Sequence, residues 1–289
     1  MEMAADVSRA ISFVQEHGRG PETALLKVLL RQELGDADLL ALTQQQNPDG
    51  GFRIWGLKTD ASGVGRTAEM LTYYASAGAA DFGASHAAAD FLIENQRSDG
   101  TWDESPAFAA ADAPPHFRPG SNDVVGWQTA ASIVALCGMG LSLDFRAALD
   151  WIINHRVGQA GGRAFFLEVP LAFAALHRTE GGEAPSTKRI RKELEAKEPK
   201  AVDGFELQWG LMAFRIAGLP VSDPIVSAWA NSLAGRQHAT GGFGSGPQPS
   251  GYETVLALCA LEGAGALRLD RGSMQRDDAP DPAYSDHGI

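Results

Sequence analysis

Three segments of the chain repeat one short grammar: Gln, a few mostly polar residues, and a Gly-led turn that ends on an aromatic. They read Gln46-Asn47-Pro48-Asp49-Gly50-Gly51-Phe52, Gln96-Arg97-Ser98-Asp99-Gly100-Thr101-Trp102 and Gln237-His238-Ala239-Thr240-Gly241-Gly242-Phe243. Each follows an apolar helical run, at Leu39–Ala41, Phe91–Ile93 and Trp229–Leu233. Two weaker copies are Gly161-Gly162-Arg163-Ala164-Phe165 and Asp203-Gly204-Phe205. An internal repeat at about forty to sixty residues marks an array of like units, none of which can bury its apolar face alone. Asp-Gly and Gly-Gly supply the positive φ that stops a helix, and the aromatic pins the returning chain.

Placing helices around these turns gives about twelve, in alternation. Outer candidates fall near 5–17, 36–46, 82–96, 144–156, 187–197 and 223–236; inner candidates fall near 21–34, 63–77, 124–140, 166–179, 205–218 and 251–264. The inner set aligns without gaps on Glu22-Thr23-Ala24-Leu25, Arg66-Thr67-Ala68-Glu69, Gln128-Thr129-Ala130-Ala131, Glu168-Val169-Pro170-Leu171, Gln208-Trp209-Gly210-Leu211 and Glu253-Thr254-Val255-Leu256. Six such hairpins close most simply into a double ring, an all-α (α/α)6 barrel. No Val/Ile/Thr run alternates with period two, so no strand is required. Inner-to-outer links are mostly short, whereas outer-to-inner links are long at 53–62, 103–123 and 244–251. These long links share the end where inner helices begin, and function concentrates on loops held by a rigid scaffold. The main cavity is therefore expected at that mouth.

With 289 residues and 44% hydrophobic content the chain can bury one large core. Residues 1–265 read as the barrel domain, and residues 266–289, rich in Asp, Pro and Gly, as an acidic, loose tail. A formal charge of −12 repels phosphate backbones and argues against nucleic acid as a partner. The run Lys188-Arg189-Ile190-Arg191-Lys192 reads as the solvated face of an outer helix. Cys137 and Cys259 fall in apolar inner-helix runs and read as reduced core thiols of a cytoplasmic protein. The opening residues do not read as a leader and no apolar stretch reaches the ~18 residues of a membrane span, so neither a leader nor a membrane span is expected.

Gln-x(2–3)-Asp-Gly-aromatic turns between barrel helices resemble the repeats of squalene–hopene cyclases, oxidosqualene cyclases and the β subunits of protein prenyltransferases. The resemblance covers roughly residues 10–265 and implies the same helical toroid, though not one reaction. The cyclases protonate an alkene or epoxide with an Asp-x-Asp-Asp-Thr-Ala motif; the matching stretch is Val125-Gly126-Trp127-Gln128-Thr129-Ala130, where Thr-Ala remains and the acids do not. Asp123, nearby, reads as a helix cap. The prenyltransferases hold zinc with Asp-x-Cys and a Tyr-His pair. Here these become Asp203-Gly204-Phe205 and Tyr252-Glu253, so one ligand of three remains and no metal or other cofactor is expected. Asp277-Asp278-Ala279-Pro280-Asp281 spells the magnesium-diphosphate string of other terpene synthases, but Pro280 and Pro282 oppose the helix it needs.

The aligned inner helices bring one polar side chain each to the mouth: Glu22, Arg66, Gln128, Glu168, Gln208 and Glu253. Glu253 and Glu22 belong to the last and first hairpins, which become neighbours on ring closure. Paired carboxylates in a partly dry mouth can split their pKa values into one acid and one base. Glu253 is the first candidate acid, with Glu22 and Glu168 next, and the prenyltransferase resemblance sets Glu253 at the position of a functional His. Arg66 reads as a clamp for an anionic group, with Gln128 and Gln208 as substrate contacts. Capping stands beside this reading, because Glu and Gln in a first helical turn satisfy free amides in any protein, and Arg66 also suits an ion pair with Glu69. Trp55, Trp102, Trp127, Phe166, Trp209 and Tyr252 gather near the same end; in the resembled families such rings line a terpenoid pocket, and at helical spacing they equally suit a core.

Three functions fit: a terpenoid-cyclase-like enzyme acting on a prenyl or other lipophilic small molecule by acid–base chemistry, a carbohydrate hydrolase or lyase using paired Glu, and a non-catalytic barrel binding a lipid or partner protein. A dry, enclosed pocket favours the first and an open groove with an aromatic floor the second. An apolar rim with no acid facing a cavity favours the third.

Overall fold

A computed structural model describes residues 5–54, 56–111, 113–157, 167–244 and 246–269. The copy at Gly161–Phe165, Phe166, Trp55 and the Asp277–Asp281 string lie outside the described residues, as does the expected tail from residue 270 onward.

Helices α1 (Val7–His17), α3 (Asp36–Thr43), α5 (Gly83–Glu94), α8 (Arg146–Val157), α10 (Pro185–Glu195) and α12 (Pro224–Ala234) form the outer ring. Helices α2 (Gly20–Leu29), α4 (Val64–Ala77), α7 (Asn122–Gly138), α9 (Glu168–Glu180), α11 (Gly204–Ile216) and α13 (Gly251–Gly263) form the inner one. Each of the twelve expected helices is present. The inner helices pack in the cycle α2–α4–α7–α9–α11–α13 and back to α2, and α4 also meets α11 and α13 across the ring. The toroid is therefore closed, and its axis is filled by side chains rather than left as a channel.

The two rings differ as burial demands. Inner α7 is buried without a break from Val124 to Leu136, as a helix surrounded by others must be. Outer α10 buries only Thr187, Ile190 and Leu194, one stripe at helical spacing. Its basic run lies on the other face, where Arg191 pairs with Asp223 at 2.9 Å and Glu195 at 2.8 Å.

The repeated turns tie one hairpin to the next. In all three, the amide after Gln bonds back across the turn: Asn47 N to Gly51 O, Arg97 N to Thr101 O and His238 N to Gly242 O, each at 2.8 Å. The Gln side chain then donates to the turn carbonyl of Gly50, Gly100 or Gly241 at 2.8–3.0 Å. Those glycines have φ of 84–96°, and a Cβ on Gly50, Gly100 or Gly241 would strike the next outer helix at Ala87, Ala147 or Arg9. The aromatic amides end on inner-helix threonines: Phe52 N on Thr67 Oγ1 (2.8 Å), Trp102 N on Thr129 Oγ1 (3.0 Å) and Phe243 N on Thr254 Oγ1 (2.8 Å). Hence three of the four threonines in the inner-helix alignment are backbone receptors, and Thr23 instead donates to the carbonyls of Arg19 and Gly20 at its own helix start. Gln237 closes the circle, accepting from Asp6 N at 2.6 Å and donating to Asp6 O at 2.8 Å, so the sixth outer helix holds the cap of the first.

The long links carry more structure than a strand-free reading provides. Phe52–Arg53 (β1) pairs antiparallel with Ser62–Gly63 (β2), a two-residue ladder at the rim rather than a central sheet. The 103–123 link holds a short helix α6 (Ala107–Ala110) and a 3-10 turn at Pro115–Phe117. Phe108 and Ala113 pack on Ile54 in a small cluster of their own, so the two links lie over the mouth together.

Candidate functional site

The six mouth positions divide by what their side chains touch. Glu22 sits at N3 of α2 and accepts the Arg19 amide at 2.9 Å, a helix-start contact within its own turn. Glu253 occupies the same place on α13: its amide donates to Ser250 Oγ at 3.1 Å, and Ser250 Oγ meets its carboxylate at 3.2 Å. Glu168 opens α9 and is buried, with its carboxylate against Gly126 of α7, where a Cβ would come within 3.2 Å of Oε1.

Arg66 belongs to a network along the axis. Its Nη1 pairs with Glu69 Oε2 at 2.8 Å and donates to Tyr252 Oη at 3.0 Å. Glu69 Oε1 accepts from Tyr73 Oη at 2.6 Å and Tyr252 Oη at 2.8 Å, and Trp209 Nε1 donates to Tyr73 Oη at 2.6 Å. The Tyr73 ring meets those of Trp209 and Tyr252 edge to face at 6.1 and 6.0 Å. A carboxylate and a guanidinium are thus held in a nearly dry centre, each bonded to tyrosine hydroxyl groups as well as to the other. Burial pushes the Tyr73 hydroxyl well up, and the Glu69 charge pushes it further, so it stays a donor. Glu69 and Tyr73 were not among the candidates, although Arg66, Glu69 and Tyr73 follow i, i+3, i+7 spacing, one face of a helix.

Gln128 leads to a second acid that the candidate ring omits. Its Nε2 donates at 2.9 Å to Glu104 Oε1, and Glu104 also accepts Val64 N at 2.8 Å and Gly65 N at 3.1 Å, capping α4 from the 103–123 link. Burial raises the Glu104 carboxyl to about 8, outweighing these three donors, each of which pulls it down. A trace of Glu104 exists in the repeat register. It stands two residues after Trp102, where the first copy has buried Ile54 two residues after Phe52.

Gln208 donates to the Glu253 carbonyl at 3.1 Å, which shows the fifth and sixth ring positions to be adjacent. The aromatic candidates are mostly walls. Trp127 is buried over Gly65 and donates to the His116 carbonyl at 3.1 Å; Trp209 is buried against Phe205 and Tyr73; and Trp102 is fully buried beneath Leu92. Tyr252 is half-buried, with the Arg66 guanidinium 5.9 Å from its ring centre. Trp55 lies outside the described residues.

Six buried side-chain polar atoms lack a hydrogen-bond partner among the described residues, and three of them belong to the ring: Arg66 Nε, Gln128 Oε1 and Gln208 Oε1. Among the described residues no three His, Cys, Asp or Glu side chains cluster closely enough to hold a metal ion. Asp203, from the prenyltransferase match, caps α11 by accepting Phe205 N at 2.8 Å. A cavity of about 370 Å³ lies at the end of the toroid where α2 and α4 finish, opposite the mouth at which the main cavity is expected from the sequence.

No family model matches the sequence, and no curated protein matches it. Similar solved structures include a protein from Actinoplanes, with a TM-score of 0.53 and 16% identity over 90% of this chain and 98% of that one. Another is a variant of the type II terpene cyclase MstE from Scytonema in complex with merosterolic acid A (product), with a TM-score of 0.50 and 17% identity over 90% of this chain and 96% of that one. At such identities the likeness is one of fold, and the fold is a terpenoid-cyclase-like helical toroid.

Proposed function

We propose that this protein is a terpenoid-cyclase-like enzyme acting on a prenyl or other lipophilic small molecule at the mouth where the inner helices begin. The observation that carries the reading is the set of unpaired ring atoms, Arg66 Nε, Gln128 Oε1 and Gln208 Oε1. A buried polar atom without a partner costs about 1–3 kcal/mol. One donor and two acceptors left unpaired on three inner helices, α4, α7 and α11, suit the polar head of a bound molecule, a hydroxyl or carboxyl group. The ring of Tyr252, half-buried beside the Arg66 guanidinium, suits its hydrocarbon and any positive charge that develops there. The product complex of the MstE neighbour supports the same substrate class.

Glu104 is our first choice for the proton donor. With its carboxyl raised to about 8 it keeps its proton near neutral pH, and it contacts Gln128, which stands at the last Asp of the cyclase motif. In such a step an alkene of the substrate takes the Glu104 proton. The resulting cation loses a proton to water at the end of the reaction, and the Glu104 carboxylate takes one back from solvent, so the enzyme is unchanged. Glu253, Glu22 and Glu168 are the next candidates. Glu22 and Glu253 are engaged at their own helix starts, which removes support from the paired-Glu carbohydrate reading. On this reading the barrel of residues 1–265 works on a small molecule without cofactor or nucleic acid. Its two free cysteines, Cys137 and Cys259, suit the cytoplasm.

The test begins with mass spectrometry of lipids extracted from the purified full chain, followed by turnover of each recovered lipophile and of its geranylgeranyl analogue. We expect conversion by the wild type and a loss of about 10²–10⁴-fold in Glu104→Gln. Turnover within a few-fold of wild type in Glu104→Gln passes the role to Glu253, Glu22 or Glu168. Lipophiles that bind and return unchanged from the wild type would make the barrel a binding module instead.

A further inference from the structure

The cavity of about 370 Å³ at the far end is lined by Val28, Arg31, Leu34, Ser76, Ala77 and Phe82, with Gln32, Gly78 and Arg215 completing it. We propose that it is a second binding site, distinct from the mouth, for a small amphipathic carboxylate. Its volume falls within the range of about 300–1,000 Å³ usual for ligand pockets.

Arg31 carries the argument. It ends α2 with φ of 56°, in the left-handed region, and is the only non-glycine residue with positive φ among the described residues. The same stop closes α4, α7, α11 and α13, where the amide one residue beyond the left-handed position bonds five residues back. In those four helices the left-handed residue is Gly78, Gly140, Gly218 or Gly265. A side chain at this position raises the energy of the backbone, so glycine is the default. An arginine kept there, on the wall of a cavity, points to a task for its guanidinium. No carboxylate among the described residues pairs with Arg31, in a chain of net charge −12 where acids are plentiful. Arg215, by contrast, is already paired with Glu262 at 2.9 Å.

The second observation is independent. Ser76 lines the same cavity, and its Oγ is buried without a hydrogen-bond partner. A planar guanidinium fork at the rim matches a carboxylate, and the serine hydroxyl supplies a further donor. Val28, Leu34, Ala77 and Phe82 offer apolar walls to the body of the ligand. Helix C-termini ordinarily repel anions, but here the closing carbonyls are engaged, Lys27 O by Gln32 N and Tyr74 O by Ala79 N.

The full chain is titrated calorimetrically with sodium decanoate below its micelle concentration, with decanol and with inorganic phosphate. Arg31→Gly and Ser76→Ala follow. Arg31→Gly is chosen because glycine suits the left-handed backbone, so Tm should stay within a few degrees of wild type while decanoate affinity falls about tenfold or more. Ser76→Ala should weaken decanoate several-fold, and decanol should bind at least tenfold less tightly than decanoate. No decanoate binding, wild-type affinity in either variant, equal binding of decanol, or displacement of decanoate by equimolar phosphate would each overturn the assignment. Decanoate held at the mouth instead would leave both variants at wild-type affinity, so the two sites stand or fall separately.

Discussion

At the scale of single residues, the most consequential group is one whose chemistry depends on where the chain places it. Glu104 is an ordinary carboxyl by sequence, yet burial takes it from an ordinary 4.5 to about 8. Between about pH 5 and pH 8 the folded protein therefore holds a proton that the unfolded chain has released. Because the native state binds more protons in this window, stability falls as pH rises through it, by up to about 1.4 kcal/mol for each pH unit. Urea midpoints measured between pH 5 and pH 8 should decline for the wild type and be nearly flat for Glu104→Gln. The substitution also costs one α4 cap bond, since an amide nitrogen cannot accept from the Val64 amide, so the slope rather than the level is the test. A wild-type slope that survives in Glu104→Gln would assign the titration to another group.

At the scale of elements, the repeated turn acts as a docking device as well as a helix stop. Gly241 and Gly78 have nearly equal φ, 96° and 92°. A Cβ on Gly241 would lie 2.5 Å from the Arg9 carbonyl of α1, while one on Gly78 meets nothing within 4 Å. Both alanine variants bear the left-handed cost of about 1–2 kcal/mol, and only Gly241→Ala must also push α1 away. Gly241→Ala should therefore destabilise by about 3 kcal/mol or more, clearly beyond Gly78→Ala, as read from denaturant midpoints at unchanged m-value. Equal losses would reduce these glycines to simple helix stops.

At the scale of the whole molecule, closure of the ring depends on a contact between the two ends of the barrel. Gln237 makes three hydrogen bonds, two of them to Asp6, 231 positions away. Each contributes about 0.5–1.5 kcal/mol net, less where water competes. Gln237→Ala should cost about 1–3 kcal/mol, and hydrogen exchange should show α1 losing protection before α7 or α9, which lie on the other side of the ring. Uniform loss across all helices would mean that the toroid opens only as a unit.

The twelve helices and their closure into a toroid were legible in the sequence because the signals are local. A Gln that clasps its own Gly turn four residues on, a glycine whose φ only glycine tolerates, and an all-apolar helix are each decided within a turn or two of chain. For the same reason the capping roles of Glu22 and Glu253 could be foreseen beside their catalytic reading. The rim ladder of β1 and β2 was missed because two residues are too few to show an alternation. Tertiary structure alone decided the interior of the site. Glu69 meets Tyr252 across 183 positions and Trp209 meets Tyr73 across 136, while Glu104 caps a helix 39 and 40 positions before it. No periodicity encodes such partners. Whether a carboxylate becomes a cap, an ion-pair member or a protonated acid depends on the water it loses and the donors it meets, and both are set by chain segments far away in sequence.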